Sequence, residues 1–298
     1  MKRKRFVSIL LTLVLLVGTL PVMGVSAAVE GGDLGNGNRW ELDRDTGVLT
    51  LVGTGELFTH SGNLAPWAKW KEEIRTVVIQ EGITSISGGA FSACQWVEEF
   101  CIPSTMEDVS YPPSRYLQAF HVAEGNRHYG EIDGVLFSAD RKTLITMPCG
   151  YMGCYTVPNT VTTIESGAFR GCHGLMELRL PEGLTEIKSG TFADCSSLMA
   201  VSLPNSLKKI RTNAFENCLS LEEIRFPEGL TTLEDGAFEG SGLREVVIPD
   251  SVVKFGNAFN SCGQLETLTA GKGIGSRLEY VYQGTPQLKR VIVSPQNS

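Results

Sequence analysis

Long apolar segments and catalytic signatures are scarce in this sequence. After residue 25, no stretch of the 298 residues is long and apolar enough to span a bilayer. The four histidines include no pair at helical spacing and no His-Glu-x-x-His, and the eight cysteines include no Cys-x-x-Cys. A Gly-x-Ser-x-Gly elbow is also missing. These absences predict a protein without an active site, a metal or a cofactor.

Basic residues are fewer than acidic ones, 26 against 33, and the net charge is −7. Four of the basic residues stand together at 2–5, so the remainder of the chain is more acidic still. An acidic chain repels phosphate backbones and anionic surfaces. We therefore expect neither nucleic acid nor a membrane surface as a partner.

The N-terminus has the order of a secretory signal peptide. The basic residues 2–5 precede an apolar run over 6–25, and small residues follow at 26–28. A membrane anchor is the alternative, because the run is nearly long enough to span a bilayer. Glycine and proline interrupt the run, however, and the small residues suit a signal peptidase. The sequence predicts cleavage after Ala27 or Ala28 and a mature protein that is secreted or associated with the cell surface.

Internal repetition is the strongest signal in the chain, and several ladders of residues recur in phase, most often at 23-residue spacing. The aromatic ladder is Phe169, Phe192, Phe215, Phe238, Phe259 and Tyr282. The proline ladder is Pro158, Pro181, Pro204, Pro227 and Pro249, and the cysteine ladder is Cys172, Cys195, Cys218 and Cys262. Leucine-rich periods of about 20 to 29 residues are typical of leucine-rich repeats, whose units stack to bury a continuous core.

The unit over 175–195 shows how one coil forms. Leu178 and Leu180 alternate with polar residues, which is the pattern of a half-buried strand. Pro181 ends this strand, since proline has no amide to donate to a sheet. Phe192 is expected to fill the coil, and Cys195 to be a small buried residue behind it. Strands of successive coils are expected to form one parallel sheet with a spacing of about 4.8 Å.

This unit resembles the short repeat of BspA-like leucine-rich-repeat proteins, a class of bacterial surface and secreted proteins whose name member is an adhesin. The residues that carry the resemblance are Leu175, Leu178, Leu180, Pro181, Gly183, Leu184, Ile187, Phe192, Cys195 and Leu198. The resemblance implies a β-rich leucine-rich-repeat solenoid with a parallel sheet on one face. It specifies the fold and leaves the ligand open.

Two other segments are similar to companions of such repeats. Residues 40–55 resemble an N-terminal β-hairpin cap, and residues 126–148 resemble a β-hairpin insertion that turns at 139–142. Trp40, Trp67 and Trp70 are expected to close the open end of the solenoid. The predicted segments are a signal peptide over 1–28, a β cap over 29–73, first repeats over 74–110, an irregular hairpin insertion from Tyr111 to Thr156, with Pro112 and Pro113 near its start, and further repeats over 157–298.

Three local patterns suggest chemistry, and each has a simpler explanation. The glycine-rich segment 271–276 lacks the full spacing of a phosphate-binding loop and falls at a repeat turn. Glu131 and Asp133 could be a glycosidase carboxylate pair, but an exposed acidic turn accounts for them better. Cys149 and Cys154 flank a short turn and could close a small disulfide loop, while the ladder cysteines are expected to be buried thiols.

Alternation along the strands predicts the partner-binding residues. If the apolar residues face inward, the open face carries Glu177, Arg179, Ser202, Glu223, Arg225 and Glu245. Trp96 is added because the equivalent positions of other coils are small or polar. The alternatives are that the charges pair across the sheet and that Trp96 packs on the insertion. We expect a non-catalytic, adhesin-like protein that binds a protein on a host or bacterial surface; a carbohydrate-binding or carbohydrate-acting protein is the second hypothesis.

Overall fold

A computed structural model describes residues 29–57, 65–86, 89–109, 114–274 and 285–293. The predicted signal peptide, Pro112, Pro113 and Tyr282 lie outside these residues. The chain divides into two compact units, Met1–Pro113 with Phe120–His128, and Ser114–Ala119 with Tyr129–Ser298. Within the described ranges, no helix combines the length and the apolar character needed to cross a membrane.

The first unit is built on a six-stranded sheet with the order β1-β2-β3-β5-β7-β8 and a two-stranded sheet of β4 and β6. The strands are β1 Val29–Gly35, β2 Asn38–Asp43, β3 Val48–Val52, β4 Gly55–Leu57, β5 Thr76–Ile79, β6 Ile83–Ile86, β7 Glu99–Ile102 and β8 Ala119–Val122, with a short 3₁₀ helix at Ala68–Trp70. The pairs β3–β5, β5–β7 and β4–β6 are parallel, as expected for stacked coils.

The predicted cap hairpin is present as β2 and β3, which pair antiparallel. The side chain of Asp43 forms the turn between them, because its Oδ1 accepts hydrogen bonds from the Asp45 and Thr46 amides at 2.9 and 3.2 Å. The structure adds β1, which the sequence did not predict and which pairs antiparallel with β2. The cap is therefore three-stranded, and β3 joins it to the repeats by pairing parallel with β5.

The three cap tryptophans are buried, as predicted. The ring centroid of Trp40 lies 6.3 Å from that of Trp67 and 5.4 Å from that of Trp70. Trp67 stacks on Phe91 with centroids 5.7 Å apart, and its indole nitrogen donates a hydrogen bond to the Ala90 carbonyl at 3.2 Å. The aromatic core of the first repeat thus continues into the cap.

The second unit contains the remaining strands. They are β9 Tyr129–Ile132, β10 Val135–Ser138, β11 Thr143–Thr146, β12 Gly153–Thr156, β13 Thr163–Ile164, β14 Leu175–Arg179, β15 Glu186–Ile187, β16 Ala200–Ser202, β17 Lys209–Ile210, β18 Thr232–Leu233, β19 Glu245–Val247, β20 Lys254–Phe255, β21 Thr267–Ala270 and β22 Arg290–Val293. The sheets have the orders β13-β11-β10-β9, β12-β14-β16, β15-β17-β18-β20 and β19-β21-β22.

The predicted insertion hairpin is confirmed as β10 and β11, joined by residues 139–142. Asp140 shapes the turn, because its Oδ1 accepts hydrogen bonds from the Ser138 hydroxyl at 2.7 Å and the Lys142 amide at 3.0 Å. The structure adds β9 on the other edge of β10. It also places β8 within the range predicted as an irregular insertion, so regular strand structure continues there.

The predicted parallel sheet is confirmed, and the structure adds a second parallel sheet that the sequence did not predict. The first is formed by β12, β14 and β16 and taken up again by β19, β21 and β22. The second consists of the two-residue strands β15, β17, β18 and β20, which follow the proline turns. Strands this short give little periodicity in the sequence, which is why the alternation pattern did not predict them.

The aromatic ladder forms the core of the second unit, and its described members are fully buried. Successive ring centroids from Phe169 to Phe259 lie 5.1, 4.9, 5.0 and 5.6 Å apart. The ladder cysteines are also buried, and the thiols of Cys195 and Cys218 donate hydrogen bonds to carbonyls of the preceding coil. Each coil therefore stabilises its neighbour through stacked rings and bonded thiols.

Two corners of the coils in the second unit adopt left-handed backbone conformations, and both recur from residue 167 to residue 240. One corner is Gly167, Gly190, Asn213 and Gly236, and the other is Gly171, Asp194, Asn217, Gly240 and Ser261. Glycine and asparagine tolerate this region better than other residues. The two ladders explain why these residue types recur at 23-residue spacing from 167 to 240.

Gly190→Ala is expected to lower the free energy of unfolding by about 1–2 kcal/mol, the cost of the left-handed conformation for a residue with a Cβ. Space is not limiting, since a Cβ there would meet only the Arg170 guanidinium at 3.7 Å. Gly183→Ala is the matched control: its Cβ would make ordinary contacts, 3.6 Å from Thr162, and it should be neutral or slightly stabilising. Urea unfolding of both variants checks the prediction, and equal midpoints would contradict it.

Candidate functional site

The outer side of the first parallel sheet carries the predicted partner-binding residues. We define the strand face as the exposed side chains of β14, β16, residues 223–225 and β19. In β14, Leu178 is buried while Glu177 and Arg179 are exposed. Parallel pairing places Glu177 beside Ala200 and Arg179 beside Ser202.

Every predicted strand-face side chain is exposed. These residues are Glu177, Arg179, Ala200, Ser202, Glu223, Arg225, Glu245 and Val247. Three of the apolar residues predicted to be buried, Val201, Leu203 and Phe226, are only partly buried. The alternation pattern is therefore correct in direction, but the strands are too short to bury both of their apolar residues in every coil.

Charges of the strand face form no salt bridge within the part of the chain that the structure describes. Glu177, Arg179, Glu223, Arg225 and Glu245 all lack a partner within 4.0 Å there, although Glu223 and Glu245 lie side by side in a parallel bridge. The alternative that these charges pair across the sheet is therefore not what the structure shows. The strand face presents charges of both signs to solvent.

Charges on the second parallel sheet are arranged differently. The Arg211 guanidinium bonds the Glu186 carboxylate, and it bonds that of Glu234 at 2.8 Å. Lys254 also bonds Glu234, at 2.9 Å. Burial by itself raises the pKa of Glu234, but the hydrogen bonds from Lys254 and Arg211 outweigh it and bring the pKa to about 2. This network joins neighbouring coils.

Glu234→Gln is expected to lower the free energy of unfolding at pH 7 by about 1–2 kcal/mol, since Lys254 is largely exposed and its contribution is screened. The folded-state pKa of Glu234 lies below its ordinary value of 4.5, so the stabilisation is present above that value and is lost as pH falls towards about 2. Unfolding measured between these pH values should be less pH-dependent in Glu234→Gln than in wild type. Glu245→Gln, which removes an unpaired carboxylate, is the control; a Glu234→Gln profile parallel to wild type would contradict the prediction.

A row of exposed methionines borders the strand face, and the sequence reasoning missed it. Met152, Met176 and Met199 are 80%, 43% and 52% exposed and belong to three successive coils. Met176 is the extra residue of a β-bulge, because Gly153 pairs with Leu175 and Cys154 with Glu177. The Met199 amide donates to the Met176 carbonyl at 2.8 Å, so the two methionines are neighbours. Their spacing of 23 in the sequence was the available signal.

Trp96 lies in the first unit and is 42% exposed. The Arg75 guanidinium lies over its ring, 5.8 Å from the centroid, and Arg75 itself faces Glu98 at 3.9 Å. The indole is therefore held by a cation–π contact with the preceding coil and keeps part of its surface open to solvent. The strand-face residues all belong to the second unit.

The patterns that suggested chemistry have structural roles. In 271–276, of which 271–274 are described, a Cβ on Gly271 or Gly273 would collide with backbone of the preceding coil, and the Lys272 amide already bonds the Asp250 carboxylate at 2.9 Å. Glu131 accepts a hydrogen bond from the Gly134 amide at 3.0 Å and so shapes the β9–β10 turn. No group of histidine, cysteine and carboxylate side chains suited to a metal occurs among the described residues.

Cys149, which the sequence suggested as a disulfide partner of Cys154, lies beside the coil that contains Cys172. Cys154 is exposed on β12, whereas Cys149 is partly buried. The Cys172 thiol of the next coil lowers the pKa of Cys149, and Cys149 in turn raises the pKa of Cys172. Cys149 stands 23 residues before Cys172 and so extends the cysteine ladder by one position, which the sequence reasoning overlooked.

Stacked coils with a parallel strand face, proline turns and an aromatic ladder define a leucine-rich-repeat solenoid protein. The chain belongs to the BspA-type leucine-rich-repeat family, whose repeat region matches in six copies over residues 69–112 and 148–266. No curated protein sequence matches the chain.

Solved structures that resemble the chain are bacterial proteins. The pneumococcal vaccine antigen PcpA is 27% identical, with a TM-score of 0.56 over 76% of this chain and 52% of that one, so this chain spans about half of its length. The Treponema pallidum protein TpLRR is 27% identical over 58% of this chain and 82% of that one, with a TM-score of 0.48. A Bacteroides ovatus leucine-rich-repeat protein shares the fold at 17% identity, covering 91% of this chain and 76% of that one, with a TM-score of 0.50.

Proposed function

We propose that this protein is secreted or displayed at the cell surface, has no catalytic role, and binds a protein partner through the strand face in the manner of an adhesin. The family and the likeness to a protein named as a pneumococcal vaccine antigen support an exposed location. The N-terminal order of basic, apolar and small residues supports export by the secretory route.

The observation that carries the proposal is the contrast between the two parallel sheets. Four charged residues on or next to the second sheet, Glu186, Arg211, Glu234 and Lys254, are held in salt bridges that join coils. Charges on the strand face have no such partners among the described residues and are free to meet those of another molecule. Complementary charges set the orientation and the association rate of protein complexes.

The methionine row supplies the apolar part of such an interface. Methionine is enriched at protein interfaces, and its flexible thioether adapts to irregular surfaces. A rigid strand face flanked by Met152, Met176 and Met199 therefore combines apolar area with charges of both signs. Sugar-binding sites, by contrast, commonly use exposed aromatic rings. The exposed apolar side chains on or beside the strand face include Met152, Met176, Met199 and Val247, none of which carries an aromatic ring.

Binding or processing of carbohydrate is the second candidate, and the exposed indole of Trp96 is the observation that favours it. The experiment that separates the two applies the purified protein to a panel of extracellular-matrix proteins and to a glycan array. We expect saturable binding to a panel protein that weakens as salt increases, because exposed charges are screened. Binding confined to glycans, and abolished by Trp96→Ala, would contradict the proposal.

A further inference from the structure

The structure brings together two thiols in neighbouring coils of the second unit, Cys149 and Cys172. Cys149 packs against the buried cluster that contains Cys172. Its thiol donates a hydrogen bond to the Arg170 carbonyl at 3.4 Å, two residues before Cys172. We propose that Cys149 and Cys172 form a disulfide by exchange with an external disulfide, and that this bond ties the coil that begins the repeats of the second unit to the next one.

Backbone hydrogen bonds on both sides hold the two thiols together. The Met147 amide bonds the Ala168 carbonyl at 2.7 Å, and the Gly153 amide bonds the Gly174 carbonyl at 2.9 Å. Cys149 lies between the two donors and Cys172 between the two acceptors. Adjacent parallel segments have a separation of about 4.8 Å, which is within the Cα range of disulfides. The backbone spacing is therefore within the range that a disulfide needs.

Neighbouring cysteines are less suited to this pairing. The Cys195 thiol donates a hydrogen bond to the Phe169 carbonyl at 3.0 Å, and the Cys218 thiol donates one to the Phe192 carbonyl at 3.3 Å. Both are fully buried, whereas Cys149 is partly open to solvent. Cys154 is exposed on β12, where its strand partner is Glu177.

The pKa values of the two thiols are shifted in opposite directions, and this determines which cysteine reacts first. The hydrogen bond from Cys172 lowers the pKa of Cys149, and the same bond together with burial raises the pKa of Cys172 well above its usual value. Burial raises the pKa of Cys195 to about 12. Since the thiolate is the attacking species, Cys149 is the cysteine that reacts first.

Formation of the bond then takes two exchange steps. The Cys149 thiolate attacks the external disulfide, which forms a mixed disulfide and releases one thiol. Cys172 loses its proton to solvent, and its sulfur attacks the Cys149 sulfur and expels the second thiol. The two protein thiols lose two electrons and two protons in total, and the external disulfide is reduced to two thiols.

Peptide mapping of the full chain tests the inference. The reduced protein is incubated with oxidised glutathione at pH 8, unfolded, alkylated and digested with trypsin. Cleavage after Lys142, Arg170 and Arg179 places Cys149 and Cys154 on peptide 143–170 and Cys172 on peptide 171–179. We expect these two peptides to be linked, with one alkylated cysteine. Alkylation of all three cysteines, a loop within 143–170, or a link from Cys172 to Cys195 would each overturn the inference.

Three variants assign the bond to its cysteines. Cys154→Ser, at the exposed position, should leave the link intact, and Cys149→Ser should abolish it. Cys172→Ala should instead accumulate a glutathione adduct on Cys149, because the second step has no attacking thiol. Loss of the link in Cys154→Ser, with the circular dichroism of wild type, would overturn the assignment. This assay uses added oxidant and no binding partner, so its outcome is independent of the proposed export and binding.

Discussion

Phe192→Ala is expected to lower the free energy of unfolding by about 3–5 kcal/mol, the range for removing a fully buried phenylalanine side chain. The ring of Phe192 is stacked between those of Phe169 and Phe215, with centroids 5.1 and 4.9 Å away. Alanine would leave a cavity in contact with both neighbouring coils.

Urea unfolding followed by circular dichroism measures this loss. Met199→Ala is a suitable control, because its side chain is exposed and its removal should change stability by less than about 0.5 kcal/mol. Solenoid repeats depend mainly on their neighbours, so the loss can also be followed as faster amide hydrogen exchange around Phe192. Coincident urea midpoints for wild type and Phe192→Ala would show that the aromatic ladder does not support the core.

Arg179→Glu with Arg225→Glu is expected to weaken binding of a partner found in the protein panel by at least about tenfold, which corresponds to about 1.4 kcal/mol. Both arginines lie exposed on the strand face without salt bridges to other described residues, so the reversal acts on the partner more than on the fold. Reversed charges repel where the original charges attracted, so the association rate of the double variant should be lower than that of wild type. The difference should be larger at low salt than at high salt, because salt screens exposed charges.

Lys208→Glu with Lys209→Glu is the matched control for this double variant. Both lysines are exposed, and Lys209 lies on β17 of the second parallel sheet. The control changes the net charge by the same amount on a different surface. Surface plasmon resonance should show near wild-type affinity for the lysine variant. Equal losses in both double variants would mean that net charge, and not the strand face, governs binding.

The sequence was sufficient to predict the repeat, because the aromatic, proline and cysteine ladders recur in phase and a stacked coil is the structure that accommodates all three. The direction of the strand side chains followed from the same pattern. Export and the segment boundaries remain predictions. The second parallel sheet was missed because strands of two residues, such as Glu186–Ile187, are too short to produce an alternation pattern.

Three further features could not be predicted until the alignment of neighbouring coils was known: the neighbour of Cys149, the exposure of Met176 and the unpaired charges of the strand face. The sequence suggested Cys154 as the disulfide partner of Cys149, because the two are close in the chain. The separation of 23 residues between Cys149 and Cys172 nevertheless fits the repeat. Met176 was not expected at the surface, because a bulge displaces it from the alternation. The strand-face charges form no salt bridge with other described residues because of where the side chains lie, which residue order alone does not determine.

Hydrogen exchange of the full chain with and without a partner from the protein panel tests the central claim most directly. We expect slower exchange in the peptides of β14, β16 and β19 and little change in those of β15, β17, β18 and β20, since the strand face is the proposed contact surface. Protection confined to the second parallel sheet or to the first unit around Trp96, with no change along the strand face, would contradict it.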